Sequence, residues 1–490
     1  MVAILGANSV SGGYEIDNSL RFNDGDASRL AFTPDGAGDR DTFTISLWFK
    51  RGVLGSEQRL FSAGPSLGTS NNNISSVRLQ NNDQLIIFGE ISQSVSFTLQ
   101  TNRVFRDSSA WYHIVVAFDT ENGTAANRIK LYVNGVQESS FSTANYMSQN
   151  VDTFFNAANV HNISYTGGNY FDGYIAEFNS IDGQQLAPSD FGETDDNGVW
   201  IPKEYDGDYG TNGYYLEFKE TGTSANASGI GADTSGETNH WTVNNLAALD
   251  VTTDTPTNNF ATMIPANNIT LSEGNTKGVT TRTGNWDALH ASIGLTSGKW
   301  YFEIKESTSG TFRVIGGVAG DPENWGNHFN GKGGTGDPTS TFNQTTTPFY
   351  GKGSWLSYWY DHQDTGTSTA TALSSGDIVQ FALDLDNYKL YIGVNGTFYD
   401  NDNSADGNPA GGSNPTVTIP SGAYTGRTFF PAFIIRDDAG SDDNIAEINF
   451  GNPAFGISSG NADANGYGNF EYAVPSGFYS ICTKNLAEFG

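Results

Sequence analysis

Apolar and polar residues alternate along most of this chain, and two stretches carry the alternation furthest. Trp111 to Val136 reads WYHIVVAFDTENGTAANRIKLYVNGV, and Asp377 to Gly396 reads DIVQFALDLDNYKLYIGVNG. Each is an alternating strand, an Asp/Asn turn, a second alternating strand, and then Asn-Gly. In the first, Ile129, Leu131 and Val133 share one face, and Arg128, Lys130 and Tyr132 share the other. In the second, Val379, Phe381, Leu383 and Leu385 fall together, as do Leu390, Ile392 and Val394. A period of two is the pattern of half-buried antiparallel strands. Asn134-Gly135 and Asn395-Gly396 suit a two-residue turn in which both residues need positive φ. Two such hairpins so far apart predict two β-sandwiches in one chain.

Shorter alternating runs fill the space around these hairpins. Residues 1–198 hold FTISLWFKR (Phe43–Arg51), SVSFTLQ (Ser94–Gln100) and YFDGYIAEF (Tyr170–Phe178). Residues 263–490 hold GKWYFEIKE (Gly298–Glu306), VIGGVAG (Val314–Gly320), FFPAFIIR (Phe429–Arg436) and EINFGNPAF (Glu447–Phe455). Between them, residues 199–262 place Trp200, Tyr214, Tyr215, Phe218 and Trp241 among Gly, Ser, Thr and Asn. Large aromatics predict a folded connector here, because a free linker carries few of them. No amphipathic helix is evident, and only short helical turns are expected.

Composition agrees. A chain of 490 residues exceeds one ordinary core, so two or three domains are expected. Gly is 59 of the 490, aromatics are 13% and charged residues only 16%, which suits many short strands joined by polar turns. The net charge of −30 repels phosphate backbones, so nucleic acid is not an expected partner. The same charge permits Ca²⁺ sites built from Asp and Asn oxygens. Cys482 is the sole cysteine, so no intrachain disulfide can form. The opening MVAILGANSV has no basic n-region, so no secretory leader is expected and synthesis in a reducing cytoplasm is. No apolar run is long enough for membrane insertion.

The order of these elements carries a resemblance. The strand ending in Trp48-Phe49, then W-Y-H-I-V, L-Y-V-N-G and F-D-G-Y-I-A-E-F, resembles laminin-G-like, concanavalin A-like lectin domains. W-Y-F-E-I, G-D-I-V-Q-F-A-L-D-L-D, F-P-A-F and I-N-F-G, in that order, resemble the SPRY domain. The resemblance implies an all-β chain of two jelly-roll sandwiches, laminin-G-like then SPRY-like, joined by an ordered connector. With G-V-W-I-P-K-E-Y and T-N-N-F between them, the whole resembles structural proteins of tailed bacteriophages. That implies a virion fibre or adhesin, a homotrimer contacting other virion proteins and a host-surface polysaccharide. Alternatives are a capsid or tail decoration protein that contacts only virion proteins, and, least favoured, a polysaccharide-cleaving enzyme.

Motifs for chemistry are weak. Glu15-Ile16-Asp17 resembles the start of a laminarinase signature, but Asn18, Ser19, Leu20 and Arg21 follow where a further Glu belongs. Gly64-Pro65-Ser66-Leu67-Gly68 spells G-x-S-x-G without the helix that a nucleophile elbow requires. Gly331-Lys332-Gly333-Gly334-Thr335-Gly336 spells G-x-G-x-x-G, again with no helix to follow. The six histidines are scattered, without the spacing of metal ligands. No catalytic residue is therefore assigned, and no enzyme is expected. Asp402 to Gly407 begins like an EF-hand loop, but position twelve is Ser413 rather than Glu. Asp402 and Asp406 are the candidate Ca²⁺ ligands, and Asp24, Asp26 and Asp182 lie in other oxygen-rich turns, each read first as a solvated turn.

The candidate recognition region is 321–362. It carries Trp325, His328, Phe329, Tyr350, Tyr358 and Tyr360, the predicted ligand-binding residues, among many polar neighbours. Sugars stack their C–H faces on aromatic rings while amides and carboxylates fix their hydroxyls. Trp355 and Trp359 in SWLSYWY alternate with polar residues and read first as core aromatics of a strand.

Overall fold

The computed structural model describes residues 13–490 except 66, 68–72, 265–268, 281–285, 308–313, 321–348, 354–356, 361–362, 369–372, 425 and 437–444. It is a nearly all-β chain, and the described residues divide into two compact units, 13–259 and 260–490.

The first unit is a sandwich of two eight-stranded sheets. One runs, in spatial order, Val136–Gln137, Ile129–Val133, Trp111–Asp119, Thr42–Arg51, Gly173–Asp182, Ser19–Phe22 and Val251–Thr252, with Tyr214–Leu216 also paired to Gly173–Asp182. The other runs Phe141–Asn145, Ser94–Val104, Gln84–Ile91, Ile74–Leu79, Gln58–Gly64, Val160–Ile163, Arg29–Phe32 and Thr242–Asn244. Neighbours in space are often far apart in sequence: Thr42–Arg51 lies between Trp111–Asp119 and Gly173–Asp182. This is the jelly-roll arrangement expected. Residues from the stretch read as a connector lie in this unit, where Tyr214–Leu216, Thr242–Asn244 and Val251–Thr252 extend its sheets.

Alternation decides the core. Phe43, Ile45, Leu47 and Phe49 of one strand face Phe61, Val77, Ile87 and Leu99 of the opposite sheet, all buried. Thr44, Ser46, Trp48 and Lys50 therefore lie on the outer side of the first sheet, and they too are buried. A second layer covers them. Lys50 Nζ meets Asp254 Oδ2 at 2.8 Å, and Trp111 Nε1 donates to Asp254 Oδ1. Ile16 and Thr257 exchange backbone-to-hydroxyl bonds at 3.1 and 2.9 Å. Segments 13–17 and 252–259 are thereby fastened across that face.

In the second unit a nine-stranded sheet contains Lys299–Glu306, Ile378–Asp384, Lys389–Val394 and Ile445–Asn449. A six-stranded sheet contains Phe429–Arg436, Val314–Gly320, Phe349–Gly353 and Ser357–Tyr360. Phe302 stacks on Phe381 at 4.8 Å, with Phe433 and Phe450 against Phe302.

One element departs from expectation. Thr483–Phe489 is a seven-residue helix, longer than the short turns foreseen. Its length is too small to show a clear amphipathic period, and Leu486 and Phe489 hold it against the second core. Among the described residues no helix is long and apolar enough to cross a membrane.

Candidate functional site

Trp325, His328, Phe329 and Trp355 of the predicted recognition region lie outside the described residues. Of the rest, Tyr350 falls in the strand Phe349–Gly353, and Tyr358 and Tyr360 in Ser357–Tyr360. The register pairs Tyr350 with Tyr360 and Lys352 with Tyr358, so these backbone positions are cross-strand neighbours.

Asp402 and Asp406 occupy exposed turns, where Asp406 accepts from the Asn414 amide at 3.2 Å. Among the described residues, no three His, Cys, Asp or Glu side chains gather as a metal site. Asp26 accepts from the Asn23 amide in a short 3₁₀ turn that also contains Asp24. Asp182 accepts Asp39 N–H, Asn212 N–H and the Asn156 amide at 2.7–3.2 Å. N–H donors on both oxygens make it a loop anchor.

The covered face of the first sheet holds two arrangements that resemble catalytic chemistry. Ser46 Oγ lies 2.8 Å from His113 Nε2. The imidazole is sandwiched between the Trp48 and Trp200 rings, with centroids 4.6 and 6.0 Å away. Trp200 Nε1 donates to His113 Nδ1 at 3.0 Å. An indole can only donate, so Nδ1 is the bare nitrogen and Nε2 carries the proton. Complete burial lowers the pKa to about 3, which keeps the ring neutral. A nucleophile dyad needs the opposite tautomer, with Nε2 free to take the serine proton. This pair is a structural hydrogen bond.

The second arrangement is a buried carboxyl. The strand Gly173–Asp182 shifts register against Thr42–Arg51 between Ala176 and Asn179, and Glu177 within that bulge has φ of 51°. Tyr215 Oη donates to Glu177 Oε1 at 2.6 Å, and Tyr14 Oη lies 3.2 Å from that oxygen and 2.7 Å from Tyr215 Oη. Among the described residues its carboxyl partners are tyrosine hydroxyls, and no cation pairs with it. Burial raises its pKa to about 8, with Glu217 and Glu204 adding to the rise against the two tyrosine bonds. At neutral pH it is mostly a neutral acid. Tyr14 and Tyr215 close it off, so no substrate oxygen has access.

The outer face of the second sheet differs, because it passes from covered to open. Its cross-strand rungs follow from the register. One joins Gln100, Ile86, Arg78 and Arg59. The next joins Thr98, Phe88, Ser76, Ser62 and Asn162. At the covered end, the hairpin of Tyr165–Thr166 and Asn169–Tyr170 lies over the sheet, with Ser62 Oγ donating to the Tyr165 carbonyl at 2.7 Å. Arg29 stands 4.8 Å over the Tyr165 ring. At the open end, Gln100, Thr98 and Phe88 are half-buried, and Thr143 and Asn145 of the edge strand are exposed.

A charged triad marks the border. Glu57 Oε1 accepts Arg59 Nη1 at 2.6 Å and lies 3.5 Å from Arg78 Nη1. The Arg59 side chain is fully buried, while those of Arg78 and Glu57 keep 12% and 33% exposure, so Arg78 presents an edge to solvent. Arg78 also stands 4.5 Å over the Phe88 ring. Burial first, and then the neighbouring Arg59, lower the Arg78 pKa to about 10, and Glu57 opposes the shift. Hydroxyls, amides, a half-exposed aromatic and a guanidinium edge form a surface able to hold a polar ligand without transforming it.

Sequence reading overlooked this face. Arg59 and Arg78 are single arginines in the runs EQRLFSAG and SVRL. Each looks like an ordinary solvent-side residue until the register sets them opposite one another.

Comparison with known proteins bears on the first unit. Residues 24–185 match the model of a laminin-G family described as the concanavalin A-like lectin/glucanases superfamily, which spans both sheets just described. No curated protein matches the chain. Among solved structures, the chain resembles the SPRY domain of human HERC1 with 12% identity and a TM-score of 0.23, over 38% of this chain and 92% of that one. It resembles a carbohydrate-binding protein, so described provisionally, from Bacteroides ovatus with 14% identity and a TM-score of 0.30, over 47% of this chain and 59% of that one. A heptameric pentraxin from Limulus polyphemus shows 16% identity and a TM-score of 0.26, over 36% and 80%. Identities this low carry no information about ligands.

Proposed function

We propose that this protein binds glycans without cleaving them, and that the open face of the second sheet in the first unit is its contact surface. The observation that carries the reading is the contrast between the two outer faces. One is sealed by tyrosines, tryptophans and a buried ion pair, whereas on the other Phe88, Thr98, Gln100 and Arg78 are only half-buried. The match of residues 24–185 to a lectin-type superfamily supports it.

We extend the reading to a virion fibre or adhesin of a tailed phage, displayed as a homotrimer beside other virion proteins and directed at a host-surface polysaccharide. The order of laminin-G-like and SPRY-like patterns in the sequence supports this extension. Several weak sites on one particle gain avidity when they engage together. Ca²⁺ at the Asp402–Asp406 turn is a separate element of the proposal.

The test is binding of fluorescently labelled protein to a glycan array and to bacterial cells, with and without EDTA, alongside light scattering for the oligomer. Saturable binding is expected, abolished by changing Gln100 and Thr98 to Ala together. A well-folded protein that binds no glycan and no cell overturns the reading. Binding that survives EDTA removes the Ca²⁺ element alone.

A further inference from the structure

We infer that the Arg59–Glu57–Arg78 triad is a receptor for an anionic group, a carboxylate or a sulfate, carried by an acidic polysaccharide. The inference rests on the glycan-binding reading above and names the ligand class for the same face.

Three observations converge. First, Arg59 and Arg78 are direct cross-strand partners. Like charges placed opposite each other on neighbouring strands destabilise a sheet, and guanidinium groups do not escape by losing protons. Two cations share one carboxylate, Glu57. An arrangement that costs stability is characteristic of a functional site.

Second, the polar groups lining this spot are not used up. Ser76 Oγ and Arg78 Nε are buried without a hydrogen-bond partner among the described residues. Ser76 is two residues from Arg78 on the same strand, so both belong to this face. Buried polar groups are normally satisfied, and an orphan donor beside a guanidinium that keeps an edge in solvent points to an absent acceptor.

Third, the charge is local. The chain carries a net charge of −30, which repels polyanions at a distance. Glu90, paired with Ile74 one rung beyond Ser76, is the next carboxylate on this face. An acidic polymer held against that background needs a specific cationic anchor.

Glu57 then acts as an internal stand-in for the ligand. Its carboxylate occupies the fork that a planar or tetrahedral oxyanion would take. Partly exposed, it can swing outward while the incoming anion bonds to the Arg78 edge. Gln100 and Thr98, both on the strand two positions across the sheet from Arg78, are placed for the sugar hydroxyls.

The experiment uses the full chain and three polymers: polygalacturonate for carboxylate, dextran sulfate for sulfate, and dextran as the neutral control. Retention in affinity electrophoresis is expected with one or both charged polymers and not with dextran, and it should fall with added salt. Arg78→Gln should weaken retention about tenfold, the loss of one charge-assisted contact. Glu57→Gln should strengthen it severalfold while lowering thermal stability, a combination that a purely structural triad would not give. Arg78→Lys, which keeps the charge but loses the fork, covers the case in which the glutamine variant fails to fold, and it should fall between the two. Which charged polymer is retained identifies the group. Unchanged retention in Arg78→Gln, or weaker retention in Glu57→Gln, overturns the inference. Binding of neutral glycans on the array, with none of the charged polymers retained, overturns it while leaving the glycan-binding reading intact. Failure on array and polymers alike overturns both.

Discussion

Asn134 and His113 hold each other through two hydrogen bonds at one end of a strand pair. The Asn134 side chain accepts His113 N–H at 2.8 Å, and Asn134 N–H donates to the His113 carbonyl at 2.9 Å. Asn395 repeats this with Ile378 in the second unit, at 3.0 Å for both bonds. Both asparagines have positive φ, 46° and 49°, as do the glycines that follow, Gly135 at 77° and Gly396 at 88°. The repeated Asn-Gly signature thus does two jobs, turning the chain and pinning the start of the preceding strand.

Asn134→Ala should therefore destabilise the first unit by about 1–2 kcal/mol, from lost hydrogen bonding and an unfavourable φ. Gly135→Ala should cost more, because its new Cβ would sit 2.4 Å from the Trp200 ring. Urea titration of each variant against wild type checks both. Equal costs would mean that Trp200 yields freely.

The buried carboxyl predicts a pH dependence. Glu177 has a folded pKa of about 8 against 4.5 in its ordinary state. The native state holds the proton more tightly, so the contribution is fully present below pH 4.5 and is lost as pH rises to about 8. The size is on the order of 5 kcal/mol. Wild type should lose thermal stability between pH 5 and 9, and Glu177→Gln should lose much less. Parallel curves would show that Glu177 does not titrate in that window.

His113 predicts the opposite slope on the acid side. Its folded pKa, about 3, lies below the ordinary 6.5. Stability from the neutral ring is present above pH 6.5 and is lost as pH falls toward 3. His113→Gln, read by thermal unfolding at pH 4 and pH 7, should reduce the difference between the two. A variant as acid-sensitive as wild type would move the effect to other groups, of which buried His161 is the next candidate.

The same tautomer predicts inertness. Ser46 should remain unlabelled by a fluorophosphonate, since His113 Nε2 already carries a proton and Ser46 is buried. Mass spectrometry of the treated protein decides it, and a modified Ser46 would reopen catalysis.

Breaking the ion pair beneath the second layer should be severe. Lys50 and Asp254 are 1% and 0% exposed, so Lys50→Met removes the cation paired with a buried carboxylate. A loss of about 3–5 kcal/mol is expected in denaturant unfolding. A neutral result would show that Asp254 takes up a proton instead.

Much of the architecture is legible in the sequence. Alternation marks Thr42–Arg51, Trp111–Asp119 and Ile378–Asp384 as strands, because side chains on a pleated chain point to opposite faces in turn. Asn-Gly marks the tight turns, because few residues tolerate positive φ. Both are local effects, and local effects are written in consecutive residues.

The sites were not legible in the same way. Aromatic density drew attention to 321–362, although density alone does not say which rings are covered. Nothing between Glu57 and Arg78 announces that two arginines nineteen positions apart become opposite rungs. Nor does YIAEF announce that a bulge swings Glu177 under Tyr14 and Tyr215. A period of two says which residues share a face. Which strand lies alongside, and which face the rest of the chain then covers, depend on pairing between distant segments, where the hydrophobic core and the loop connections choose among many registers that the local pattern permits equally.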